Sequence, residues 1–125
     1  MSGVLDIQPS DLVVEEGDTI VLNCSFTEKY NGTRNASWLA FRHVGERFGP
    51  EYVSVLSDDT AQLRLPNATL HHFGFFVCYM LPNRSLGLGS SSVHVNVVSE
   101  WYIVQFCLMY FLILKSLIYT LVDTL

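Results

Sequence analysis

The sequence predicts an all-β sandwich of about seven or eight short strands, joined by one disulfide between its sheets and followed by a C-terminal hydrophobic helix. Three observations carry that prediction. Apolar and polar residues alternate in short runs, with turn signals about every ten residues. Two of the three cysteines, Cys24 and Cys78, lie in strand-like contexts 54 positions apart. No helical period occurs before residue 99, and the alternation then gives way to the uncharged run WYIVQFCLMYFLIL at 101–114.

Residues 1–8 read as an N-terminal extension and 9–98 as the domain. The stretch from Asp11 to Glu16 suits an edge strand ended by a Glu16-Gly17-Asp18 turn. In TIVLNCSF, residues 19–26, Ile20, Leu22, Cys24 and Phe26 share one face and Asn23 lies on the other. TEKYNGTRNA is a loop with an Asn-Gly signal. SWLAFRH follows as a strand in which Trp38 shares a face with Ala40. Gly45, Gly49 and Pro50 mark a turn. EYVSVLS at 51–57 is strand-like again. TAQLRLP places Ala61, Leu63 and Leu65 together. In FFVCYML, Phe76, Cys78 and Met80 point one way. A turn at Asn83 to Gly89 leads into SSVHVNVV, with Val93, Val95 and Val97 on one face. Leu22, Leu65, Phe76 and Trp38 are therefore the expected core around the cysteines.

Length and charge bound the rest. The chain has 125 residues, room for one domain. Twelve Asp and Glu against seven Lys and Arg give a net charge of −5. Asp6, Asp11, Glu15, Glu16 and Asp18 have no basic residue among them. Such a surface repels phosphate backbones and argues against nucleic-acid partners.

Five of the six asparagines begin an Asn-x-Ser/Thr triplet: Asn23, Asn31, Asn35, Asn67 and Asn83. Serine and threonine fill 19 of the 125 positions, so chance would supply such a triplet at one asparagine, not five. Glycan acceptors imply a secretory route, where disulfides persist. Cys24 and Cys78 are taken as the pair. Cys107, in the apolar tail, is left free or palmitoylated. The first twelve residues lack a leader pattern, which suggests a mature form, a fragment or a lost first exon.

Cys24, Trp38 and Cys78 stand at a spacing that resembles the immunoglobulin superfamily. GDTIVLNC is similar to the family's B strand, and Trp38 resembles the C-strand tryptophan that packs on the disulfide. HFGFFVC resembles the E–F corner pattern D-x-G-x-Y-x-C. Gly74 and Cys78 match it, whereas His72 replaces the Asp and Phe76 the Tyr, so the corner tyrosine's hydroxyl-to-backbone bond is expected to be missing. The 54-residue separation suits an intermediate or constant-like set. The resemblance covers about residues 9–98. A looser one links LRLPNATLHHFGFFVCYM to the N-terminal immunoglobulin-like module of class I cytokine receptors. A disulfide closing a loop of this length stabilises by about 4 kcal/mol in the chain-entropy model, a large share of a total of about 5–10 kcal/mol.

Inward parity for Trp38 and Cys78 turns Leu39, Phe41, Phe75, Val77 and Tyr79 outward on neighbouring strands. Five apolar side chains on one outer face exceed ordinary scatter and mark a protein-binding face, unless a neighbouring domain or the tail covers it. Residues 99–125 form the hydrophobic tail. Its segment 101–122 carries one charge and spans about 33 Å as a helix, enough for a hydrocarbon core of about 30 Å. Lys115 inside it costs about 3 kcal/mol unless it snorkels. The expected topology is single-pass in the plasma membrane with the N-terminus outside. Three residues follow the span, too few for a signalling domain. The chain is secreted if the tail is not a true span.

His43, His71, His72 and His94 lack metal-ligand spacing, and no catalytic signature appears. No metal, cofactor or catalysis is expected. The expected function is a cell-surface or secreted recognition module binding a protein ligand or co-receptor. The alternative is a structural spacer domain of a truncated cytokine-receptor-like or adhesion protein whose tail is a gene-model artefact.

Overall fold

The computed structural model describes residues 3–81 and 89–123; over 100–104 it describes the helical backbone alone. Among the described residues nine strands form two sheets. The first contains Leu5–Gln8 (β1), Ile20–Phe26 (β3), Thr60–Leu65 (β7) and Val53–Val55 (β6), in the order β1-β3-β7-β6. The second contains Asp11–Glu15 (β2), Ser91–Val98 (β9), Gly74–Met80 (β8), Leu39–His43 (β4) and Glu46–Arg47 (β5), in the order β2-β9-β8-β4-β5. All neighbours are antiparallel except β2 and β9, which run parallel. This set lies between the constant-type and variable-type immunoglobulin arrangements.

The alternation read from the sequence produces the core where the strands are long. In β3, Ile20, Leu22, Cys24 and Phe26 are buried, and their neighbours Val21, Asn23 and Ser25 are half-buried. Ala61, Leu63 and Leu65 do the same in β7, and Phe76, Cys78 and Met80 in β8. Val93, Val95 and Val97 complete the layer from β9. The Cys24–Cys78 disulfide joins the two sheets across this layer, with Cα atoms 6.4 Å apart.

Two boundaries differ from expectation. The stretch expected as an extension contains a strand: β1, Leu5–Gln8, pairs with β3 from Leu5↔Phe26 to Gln8↔Asn23, and Leu5 and Ile7 are buried. The signal, Leu5-Asp6-Ile7-Gln8, is two alternations long, too short to stand out in the sequence. The first strand is thus divided between the sheets, with Pro9 and Ser10 at the crossing and a cis Gln8–Pro9 peptide there.

The second difference concerns the tryptophan. Ala36–Trp38 form a 3-10 turn, capped by Asn35, whose Oδ1 accepts from the Ser37 N–H at 3.1 Å. Only then does β4 begin. The strand's inward residues are therefore Leu39, Phe41 and His43, and Trp38 is 36% exposed. Phe41 lies opposite Cys78 in register and is fully buried. It fills the place beside the disulfide that the sequence reading gave to Trp38. A shift of one residue exchanges the two faces of a strand.

β4 returns through a two-residue hairpin. Val44 and Gly45 both have positive φ, 49° and 83°, the pattern of a type I′ turn. EYVSVLS opens as a 3-10 turn at Pro50–Tyr52 and only then becomes β6. Ser99 alone separates β9 from the helix Glu100–Asp123 (α1). Its segment Gln105–Asp123 is long and apolar enough to cross a membrane, and none of it is buried against the domain.

Candidate interaction face on the five-stranded sheet

Antiparallel partners share a face, so the register fixes which side chains leave the core. Phe75 pairs with His94, Val77 with Ser92 and with Arg42, and Tyr79 with Ala40. These residues line the outer surface of the second sheet. Leu39 and Phe41, expected there, are 3% and 0% exposed and belong to the core. The opposite side of β4 carries Ala40, itself only 4% exposed, and half-buried Arg42, for the same one-residue reason that exposed Trp38. Phe75, Val77 and Tyr79 do lie on the outer side.

The apolar part of this face centres on one imidazole. His94 meets the Phe75 ring edge-on at 5.0 Å and the Phe73 ring edge-on at 5.1 Å. Phe75 is 60% and Phe73 52% exposed, so the aromatic cluster is held by the fold yet open to solvent. Along the β2 edge Val13 is also exposed, between Asp11 and Glu15. On the other side Arg42 sits 5.8 Å from the centre of the Tyr79 ring and pairs in register with Arg47. The face is thus acidic at the β2 edge, aromatic in the middle and basic at the β4–β5 edge.

Behind it lies the E–F corner. Phe76 is buried and stacks on His43 at 4.5 Å and on Phe48 at 5.7 Å. His43, nearly buried, donates from Nε2 to the Phe73 carbonyl oxygen at 2.9 Å. The backbone bond that the missing tyrosine hydroxyl would make is supplied from the neighbouring strand by an imidazole. Gly74 has φ +123°, and a Cβ there would come within 3.4 Å of that Nε2. His72 closes the 3-10 turn Leu70–His72: its Nδ1 accepts from the Thr69 N–H at 3.0 Å, one half of a capping box. Burial lowers the pKa of His72, and the neighbouring His43 and His71 lower it further. No spacing rule pointed to His43, because its partner is 30 positions away.

The four sequons among the described residues do not fall on the aromatic face. Asn23 is on the outer side of the first sheet, its Oδ1 accepting from Gln62 Nε2 at 3.0 Å. Asn31 and Asn35 lie between β3 and β4, where Asn35 Oδ1 also takes the Ser37 hydroxyl at 2.6 Å. Asn67 is exposed, with φ 56°, in the connection after β7. Asn83 lies outside the described residues. A concavity of about 260 Å³ opens between β4 and β6 and is lined in part by Leu39, Phe48, Val53, Val55 and Leu81. Among the described residues no group of His, Cys, Asp or Glu converges as a metal site.

No protein-family profile and no curated protein matches the chain. Solved structures do. A complex of Dpr2 Ig1-Ig2 with DIP-Theta Ig1-Ig3 aligns with TM-score 0.58 and 20% identity, over 76% of this chain and 49% of that one. A titin M10–obscurin like 1 Ig complex aligns with TM-score 0.54 and 18% identity, over 76% and 94%. A structure on T cell specificity and activation by toxic shock syndrome toxin-1 gives TM-score 0.54 and 14% identity, over 78% and 100%. The domain is an immunoglobulin-like β-sandwich with one inter-sheet disulfide. At these identities the likeness is one of fold, and the chain spans about half the length of the Dpr2–DIP chain it matches.

Proposed function

We propose that this chain is a membrane-anchored cell-surface recognition module that binds a protein through the outer face of its five-stranded sheet and catalyses nothing. The observation that carries this is the Phe73–His94–Phe75 cluster, an ordered aromatic group more than half exposed at both phenylalanines. Exposed aromatics held in a fixed geometry lose little entropy on contact and are favoured at binding hot spots. The charged edges flanking the cluster would orient a partner. Asn23, Asn31, Asn35 and Asn67 as glycan sites would leave this face open. Two of the matched folds are complexes of one immunoglobulin-type chain with another, by their descriptions, which supports a protein partner here. The apolar helix at Gln105–Asp123 supports anchorage, with the domain outside.

The domain assignment follows the strands: an immunoglobulin-like domain from about β1 to β9, then the spanning helix. The test is a screen of the full-length chain on cells against a panel of cell-surface ectodomains. Phe75→Arg should weaken any hit by more than about tenfold, and Trp38→Ala should leave it unchanged. A hit indifferent to Phe75→Arg and Tyr79→Arg would move the contact off this face. A second reading, a spacer domain, draws on the β4–β6 concavity, where Val55 and Leu81 stay exposed. It predicts that the chain alone binds nothing.

A further inference from the structure

We propose that Lys115 pairs, inside the bilayer, with a carboxylate on the membrane-spanning helix of a different protein. The inference rests on α1 crossing the membrane as proposed above. Lys115 lies inside the apolar segment, in the C-terminal half of α1, eight residues before Asp123. The eight residues to Asp123 rise about 12 Å along the axis. A four-carbon lysine stem covers about half of that distance, so snorkelling leaves the ammonium short of the headgroups and their phosphates.

The helix itself gives the ammonium no counter-charge. The positions three and four residues away, where helical ion pairs form, are Phe111, Leu112, Ile118 and Tyr119. The acids of α1 are Glu100 and Asp123, at its two ends. Thr120 makes the contrast: its hydroxyl donates to the Ser116 carbonyl oxygen at 3.0 Å and is satisfied within the helix. Among the described residues Lys115 has no such partner. An unpaired charge in hydrocarbon is costly and is retained where another helix completes it.

The chemistry of the partner follows. A second copy of this chain would bring a second ammonium to the same depth, so contact along this stripe repels. A neutral amide would solvate the charge without neutralising it. A carboxylate at the same depth does both, and the apolar collar of Phe111, Leu112, Ile118 and Tyr119 would exclude water from the pair and strengthen it.

The full-length chain would be co-expressed with a tagged single-span helix of leucine and alanine carrying one central Asp, Asn or Leu, then solubilised in mild detergent and co-purified through the tag. The Asp helix should capture at least about tenfold more chain than the Leu helix, with the Asn helix well below Asp. Lys115→Leu should abolish the difference and Lys115→Arg should keep it. Equal capture by the Asp and Leu helices, or undiminished capture of Lys115→Leu, would overturn the pairing. Alkaline carbonate extraction of the same membranes separates the two levels. A chain that resists extraction but shows no preference for Asp defeats the pairing alone. A chain released by carbonate defeats the anchored reading and the pairing with it.

Discussion

Phe41 and Trp38 exchange the roles that the sequence suggests for them, and the energetics follow the exchange. Phe41 is fully buried beside the disulfide and Trp38 is more than a third exposed. Phe41→Ala should therefore cost about 3–5 kcal/mol, the range for deleting a buried aromatic. Trp38→Ala should cost less than about 1 kcal/mol. Urea unfolding midpoints of the two variants would rank them, and the reverse order would restore the tryptophan to the core. His72 gives the domain a pH dependence of definite sign. Burial, then His43, then His71 hold its pKa below the ordinary 6.5. The unfolded chain therefore takes up the proton more readily. Stability is complete above the unfolded value and falls as acid lowers the pH toward the folded one. Protonation also removes the lone pair that accepts from the Thr69 N–H. The unfolding midpoint should drop as the pH falls through about 6.5, and His72→Gln, which keeps a capping-box acceptor, should flatten that slope.

The hairpin between β4 and β5 shows how a turn can be under-optimised. Its first residue, Val44, adopts φ 49° although a branched Cβ resists that region, and its side chain is 80% exposed. The turn geometry favours Asn-Gly. Val44→Asn should stabilise the domain by about 1 kcal/mol, read as a raised thermal midpoint; a lowered midpoint would mean that the valine contributes packing its exposure does not reveal. Strands were legible where alternation ran for three or more repeats: β3, β7, β8 and β9 have the inward residues that their periodicity predicts. Short elements were not. β1 offered two alternations, and the start of β6 is a proline turn. In SWLAFRH, apolar residues at 38, 39, 40 and 41 fit either parity. Asn35, legible as a glycan acceptor, is also the cap of the turn that moves the start of β4 from Ser37 to Leu39.

At the scale of the molecule, the same slip removed two of the five residues of the predicted contact face without abolishing it. Phe75, Val77 and Tyr79 kept their side because β8 is fixed by Cys78. Leu39 and Phe41 lost theirs because β4 hangs on the turn before it. Phe73 and His94 were missed, since their importance lies in rings meeting across strands, which no single run of sequence displays. Sugar and contact surface should be separable. Asn23→Gln, on the opposite sheet, should leave a partner's affinity within about twofold, whereas Phe75→Arg should not. Equal losses from both would place the contact elsewhere.

One residue, Ser99, joins the domain to its helix, and that brevity has a mechanical meaning. Tension delivered through α1 enters at the end of β9, a strand held on one side by β2 and on the other by β8. Pulled along its length, β9 loads both ladders in shear, so many hydrogen bonds must fail together. A strand peeled sideways from an edge would give them up one by one. The domain is thus joined to α1 at a strand braced on both sides.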